Sequence, residues 1–158
     1  MKKVVSIDDI VPLMKEQINR EGYVKFTPKG NSMLPTLRNN KDSVTLGKPN
    51  FPLKKYDIAF YLRDNGQYVL HRVVKKEKND TYVMRGDNQF RDEKGLREEQ
   101  IIGVVKNFTR KGKEYTQDEI SYKIYCVVWC KTVKVRKVLR KLRRIAGKIK
   151  RKLLGIYQ

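Results

Sequence analysis

One hydroxyl, one imidazole and one carboxylate stand in three turn-flanked blocks of this chain: Gly30-Asn31-Ser32-Met33-Leu34-Pro35-Thr36-Leu37, Val69-Leu70-His71-Arg72-Val73-Val74 and Gly86-Asp87-Asn88. These are the parts of a serine hydrolase, in which a base activates the hydroxyl and a carboxylate orients or charge-balances the base. His71 is the only histidine, so any imidazole chemistry belongs to it, and an ordinary pKa of about 6.5 suits a base near neutrality. Gly30 lets the backbone approach a bound carbonyl closely. Successive N–H groups around Asn31 and Ser32 can form a nest of the kind that stabilises an oxyanion. Pro35 holds the following turn, and Met33 is placed to pack beneath the loop and fix the direction of the serine. Asp92, in Phe90-Arg91-Asp92-Glu93, is a second candidate carboxylate. Taken singly, each of these residues has a plain structural reading as a turn residue, a core side chain or a turn cap.

The elements that must position them are mostly strands. Ser6-Ile7-Asp8-Asp9 reads as an N-cap with an acidic first turn, and Ile7, Ile10, Val11, Met14 and Ile18 recur at helical spacing up to Gly22, predicting a helix over 7–20. From Tyr23 the period becomes two. Short β-prone runs follow at 23–27, 42–46, 57–62, 67–76, 81–85 and 101–107, separated by turn clusters such as Lys48-Pro49-Asn50-Phe51-Pro52. Asp64-Asn65-Gly66 between two such runs is a hairpin signal. Strands in series without intervening helices imply a mainly β fold with an antiparallel, partly closed sheet.

From Ile120 the pattern is helical again, and the charge is segregated there. The chain carries a formal net charge of +20; thirteen Lys and Arg and no acid follow Glu119, which leaves about +7 for the rest. Ile124, Val128, Val135, Val138, Leu142, Ile145, Ile149, Leu153 and Ile156 track one stripe, with Lys and Arg opposite. The expectation is a β-domain with its N-terminal helix over 1–119 and one long cationic amphipathic helix over 120–158. Four uses of that helix are open: its stripe packs on the β-domain, it holds an acidic peptide substrate or partner, it lies in the plane of an anionic membrane with Trp129, Arg136, Arg140, Arg143 and Arg144 at the interface, or it binds nucleic acid. The last is disfavoured by the lack of a helix-turn-helix pattern, a base-stacking aromatic platform or a zinc site.

No apolar run approaches the ~20 residues that span a bilayer, and Asp8 and Asp9 interrupt any signal-peptide hydrophobic region. A cytoplasmic protein, peripheral at the inner face of the membrane, is expected. Cys126 and Cys130 lie four apart on one face of the expected helix, with too few partners to complete a metal or redox site. No cofactor is implied.

At these blocks the sequence resembles the type I signal peptidases and their relatives, the self-cleaving repressor peptidases. Ser32-Met33-Leu34-Pro35-Thr36 is similar to the serine box, Tyr56-Asp57-Ile58-Ala59-Phe60-Tyr61 to the strand that follows it, and Val69-Leu70-His71-Arg72-Val73-Val74 to the box holding the base. Gly86-Asp87-Asn88 with Asp92 resembles the last box, and Ile101-Ile102-Gly103-Val104-Val105 the strand after it. The resemblance implies Ser32 as nucleophile and His71 as general base, with Asp87 or Asp92 supporting the imidazole. Lysine is the commoner base in bacterial members; histidine marks the endoplasmic-reticulum, archaeal and some Gram-positive relatives. Many members place an oxyanion-donating hydroxyl two residues before the nucleophile. Gly30 stands there, leaving backbone N–H groups, that of Ser32 among them, and the Asn31 side chain. A membrane anchor ahead of the serine box, usual in the family, has no counterpart before Ser32. The implied activity is a serine endopeptidase cleaving signal or leader peptides of a preprotein or small peptide substrate. The alternative is a catalytically silent peptide-binding module that the basic tail recruits to anionic membrane.

Overall fold

The structure, a computed structural model, describes residues 6–153; residues 1–5 and 154–158 lie outside it, Ile156 among them. Helix α1 spans Ile7–Glu21. Ser6 Oγ accepts a hydrogen bond from the Asp8 N–H, and Gly22 closes the far end through its N–H to the Ile18 carbonyl at 2.9 Å. Both ends follow the capping signals read in the sequence. Val11, Met14 and Ile18 form its buried face.

Eight strands follow: β1 (Tyr23–Phe26), β2 (Ser43–Gly47), β3 (Ile58–Leu62), β4 (Tyr68–Lys76), β5 (Tyr82–Arg85), β6 (Glu93–Leu96), β7 (Ile101–Arg110) and β8 (Lys113–Thr116). All pairings are antiparallel, in the order β1-β2-β7-β3-β4-β5-β6, with β8 on β7. The hairpin between β3 and β4 turns at Asp64-Asn65-Gly66, and the Arg63 N–H bonds the Gln67 carbonyl at 2.9 Å. Six strands lie where the sequence places them; β6 and β8 are additions.

Alternation along the strands builds two cores. One joins Val11, Met14 and Ile18 of α1 to Met33, Leu37, Val44, Leu46, Ile58, Phe60, Leu70, Ile102, Val105 and Phe108. The other joins Leu53, Ala59, Tyr61, Val73, Tyr82, Met84, Leu96, Ile101 and Val104. No helical residue belongs to the second core, so its strands bury that face against one another. Consecutive residues of β3 and β4 therefore serve different cores.

The C-terminal segment is two helices rather than one: α2 (Ile120–Lys131) and α3 (Val133–Leu153). They divide at Thr132, whose hydroxyl bonds the Val128 carbonyl at 2.8 Å, a local bond that competes with the helical ladder. The inner face of α2 packs on the first core through Tyr122 and Cys126. The apolar stripe read from the sequence points elsewhere: Ile120, Ile124 and Val128 of α2 and Val135, Val138, Leu142, Ile145 and Ile149 of α3 are all exposed.

Candidate active site

The serine loop is a closed, anchored turn. Gly30 has φ +115°, a conformation that L side chains rarely adopt, so glycine is required there. Its N–H donates to Asn39 Oδ1 at 2.7 Å and is therefore taken up in holding the loop. The Leu37 N–H bonds the Met33 carbonyl at 2.9 Å, and both side chains are buried in the first core. Met33 thus packs beneath the loop. Pro35 follows a cis peptide bond. Asn31 is exposed and Ser32 half-buried. The Asn31 carbonyl accepts from Asn88 Nδ2 at 3.1 Å, and the Ser32 carbonyl accepts from the Asn88 N–H at 2.8 Å.

These bonds draw the serine loop onto Gly86, which follows β5 directly. A Cβ on Gly86 would lie 2.7 Å from the Ser32 carbonyl oxygen and 3.0 Å from His71 Nε2. A side chain at that point is excluded, and its absence lets the loop and the imidazole approach within about 6 Å of each other across the gap. His71 lies opposite Ala59 on β4 and is 1% exposed. Its Nε2 is buried and makes no hydrogen bond. Buried polar atoms are normally satisfied, so this nitrogen stands out as one without a protein partner beside the serine loop.

The other ring nitrogen is well supported. Tyr61 Oη lies 3.2 Å from His71 Nδ1, and Glu93 Oε2 lies 3.8 Å from it. Arg63 grips Glu93 with two charge-assisted bonds, Nε to Oε1 at 2.8 Å and Nη2 to Oε2 at 2.6 Å. Burial pushes the His71 pKa down to about 4, with Glu93 only partly opposing it, so the imidazole is neutral at neutral pH and free to accept a proton. Burial raises the Tyr61 pKa and keeps its hydroxyl protonated. Burial also works to raise Glu93, but the bonds from Arg63 and Tyr61 outweigh it and hold the carboxyl below its ordinary value.

Neither carboxylate expected from the sequence bonds His71, although the charge of Asp87 favours the protonated imidazole from a distance. Asp87 is committed to Arg72, with Nε to Oδ1 at 2.8 Å and Nη2 to Oδ2 at 2.7 Å, and also accepts from the Thr36 hydroxyl. Asp92 pairs with Arg85 at 2.8 Å on the surface. The residue at the imidazole is Glu93. No local signal marked it: β6 is read from its pairing with β5, and Glu93, its first residue, is half-buried where Asp92 just before it is exposed.

Arg72 is the largest fully buried side chain and lies on the opposite face of β4 from His71. Its Nη1 reaches the Tyr56 carbonyl and the Tyr122 hydroxyl, each at 2.9 Å, and Cys126 Sγ at 3.1 Å. Burial pushes the thiols of Cys126 and Cys130 up, so both stay protonated.

Three of the residues assigned to a membrane interface are occupied here instead. Trp129 Nε1 and Arg136 Nη1 both donate to the Asp87 carbonyl, at 2.9 and 3.0 Å, and Arg140 Nη1 reaches the Asn88 carbonyl at 3.4 Å. Arg136 also stacks 3.9 Å over the Trp129 ring. Trp129 and Arg136 are half-buried against the Asp87-Asn88 turn, whereas Arg140 reaches it from an exposed position. Arg143 and Arg144 are exposed. A cleft of about 1050 Å³ opens beside the site, lined by Arg63, Asn88, Phe90, Glu93, Lys137 and Arg140 among others.

Comparison with known protein families, with curated proteins and with solved structures finds no match to this chain.

Proposed function

We propose that the protein is a serine endopeptidase of the signal-peptidase type, with Ser32 as nucleophile and His71 as general base. The observation that carries this reading is the orphaned Nε2 of His71, buried beside the serine loop with its other nitrogen backed by Tyr61, Glu93 and Arg63. The tautomer with the proton on Nδ1 satisfies every partner. Nδ1–H donates to Tyr61 Oη, the tyrosine hydroxyl turns toward Glu93, and Nε2 keeps its lone pair for the serine proton.

In that arrangement Ser32 Oγ attacks the scissile carbonyl of an extended peptide while Nε2 takes its proton. The imidazolium so formed is stabilised through Tyr61 by the Glu93 carboxylate, then returns the proton to the leaving amine. Water hydrolyses the acyl-enzyme with the same base. Because Gly30 N–H is engaged by Asn39, the oxyanion falls to the remaining N–H groups of the loop, that of Ser32 first. The cleft beside Glu93 and Asn88 offers room for the peptide on one side of the scissile bond. The resemblance to signal peptidases adds a preference for small side chains near that bond.

The test is cleavage of candidate leader peptides by wild type and by Ser32→Ala. Loss of cleavage in the variant, with a fluorophosphonate adduct mapped to Ser32 in the wild type, supports the assignment; equal cleavage overturns it. A second reading, a silent peptide-binding module, is favoured by one observation: Ser32 Oγ makes no hydrogen bond to His71. Tight peptide binding with neither turnover nor labelling of Ser32 selects it.

A further inference from the structure

Helix α3 presents an apolar face that nothing in the described chain covers. At 3.6 residues per turn, Val135, Val138, Leu139, Leu142, Ile145 and Ile149 fall within an arc of about 120°, and each is 45–59% exposed. Eleven Lys and Arg and no Asp or Glu occupy the rest of Val133–Leu153. The order around the helix is informative. Lys134, Lys141, Arg143, Lys150 and Lys152 border the apolar arc, where long stems can lie along it and lift their charges clear. Arg136 and Arg140 stand on the far side, bonded to the carbonyls of Asp87 and Asn88. The helix therefore holds the protein with one side and offers an apolar strip edged by cations with the other. Ile120, Ile124 and Val128 of α2 add exposed apolar surface to it.

We infer that α3 docks in the plane of an anionic lipid surface, apolar arc inward, with the protein carried on its Arg136–Arg140 side. Charge selects this occupant. A second copy would set eleven cations against eleven with no acid to offset them. Nucleic acid needs the cationic side, two of whose arginines are already bonded to the protein, and has no use for the apolar arc. An anionic bilayer answers both features at once: its headgroups meet the bordering cations and its acyl boundary takes the aliphatic side chains. At this length, about 31 Å along the axis, the helix lies on the surface; no described helix is long and apolar enough to cross it. The inference does not depend on the peptidase reading.

The experiment is co-sedimentation of the full chain with phosphatidylcholine vesicles, with and without phosphatidylglycerol, at 0.1 and 0.5 M salt. Ser32→Ala serves as a control that binds like wild type whatever the activity. The expected result is at least ~10-fold stronger partitioning onto anionic vesicles, falling at least ~10-fold at high salt. A second expectation is loss of at least ~10-fold on Val138→Ser/Leu142→Ser/Ile145→Ser, which keeps every charge. Circular dichroism checks that the helix persists in that variant, and Arg143→Gln/Arg144→Gln, milder in its effect on folding, is expected to weaken binding severalfold. Equal partitioning onto both vesicle types overturns the inference. So does unchanged binding by Val138→Ser/Leu142→Ser/Ile145→Ser, a concentration-dependent dimer that this triple substitution abolishes, or duplex DNA binding tighter than vesicle binding and indifferent to the apolar substitutions.

Discussion

His71 and Arg72 are neighbours on one strand, yet they work in opposite ways. Arg72 faces the helical core and meets a carboxylate with both prongs of its guanidinium; every polar contact it can make is made, and α2 seals it. His71 faces the other core and also stands near an arginine–carboxylate pair, but at one remove, through Tyr61, with its Nε2 left unbonded. The first unit is saturated and fixes the turn that carries Asp87 and Asn88. The second is open by one bond, at Nε2. A buried polar group that is satisfied gives rigidity; one left unsatisfied needs another account, which in the peptidase proposed above is proton transfer.

The contrast breaks at its reactive end if His71 is not the base. His71→Asn is expected to lower kcat/KM on a cleavable leader peptide by ~10⁴-fold or more, and loss of less than tenfold refutes the role. On the structural face, Asp87→Ala strands a buried guanidinium and is expected to cost about 3–5 kcal/mol in urea unfolding. Glu93→Gln, on the reactive face, is expected to change stability by about 1 kcal/mol, because its pair with Arg63 is partly exposed, while lowering kcat ~10²-fold. Equal stability losses would erase the distinction between the two pairs.

The pH dependence sharpens the comparison further. Folded His71 titrates at about 4 because burial disfavours its charge, against ~6.5 in the unfolded chain. Between those values the unfolded state binds a proton that the folded state refuses, so stability falls as pH is lowered from 6.5 to 4 and levels off below. Relative to His71→Asn, the wild type is expected to lose about 2–3 kcal/mol between pH 7.5 and 4.5 in urea titrations; parallel curves would show the imidazole to be accessible to water. The smallest effect belongs to Tyr61→Phe, expected to cost about 1 kcal/mol through the lost bond to Nδ1. A larger loss for Tyr61→Phe than for Glu93→Gln in kcat would make the hydroxyl, rather than the carboxylate, the main support.

Most of the β-domain was legible because its signals are local. The alternation of β3 and β4, the turn at Asp64-Asn65-Gly66 and the caps of α1 each lie within a short stretch of chain. β6 and β8, Glu-Lys-Gly-Leu and Lys-Glu-Tyr-Thr, carry little β propensity and exist through pairing with β5 and β7. The same non-locality hid Glu93. Gly86-Asp87-Asn88 looks like a carboxylate offered to a base, and nothing local says that Arg72 will claim Asp87 or that the strand after Asp92 will swing the next side chain toward the imidazole. The bonds of Trp129 and Arg136 were hidden for a related reason: composition shows an aromatic and a cation, whereas the Asp87 carbonyl that binds both comes from a turn more than forty residues away.

The seam between the two halves suggested by the charge distribution is therefore a poor place to cut. A fragment ending at Glu119 would leave the Arg72 guanidinium without its phenol and thiol neighbours, the Thr36 hydroxyl without Tyr125 at 2.8 Å, and the Asp87 carbonyl without an indole. Anyone trimming the cationic tail for crystallisation should retain α2 and end the chain beyond Arg140, where the last bond to the turn is made.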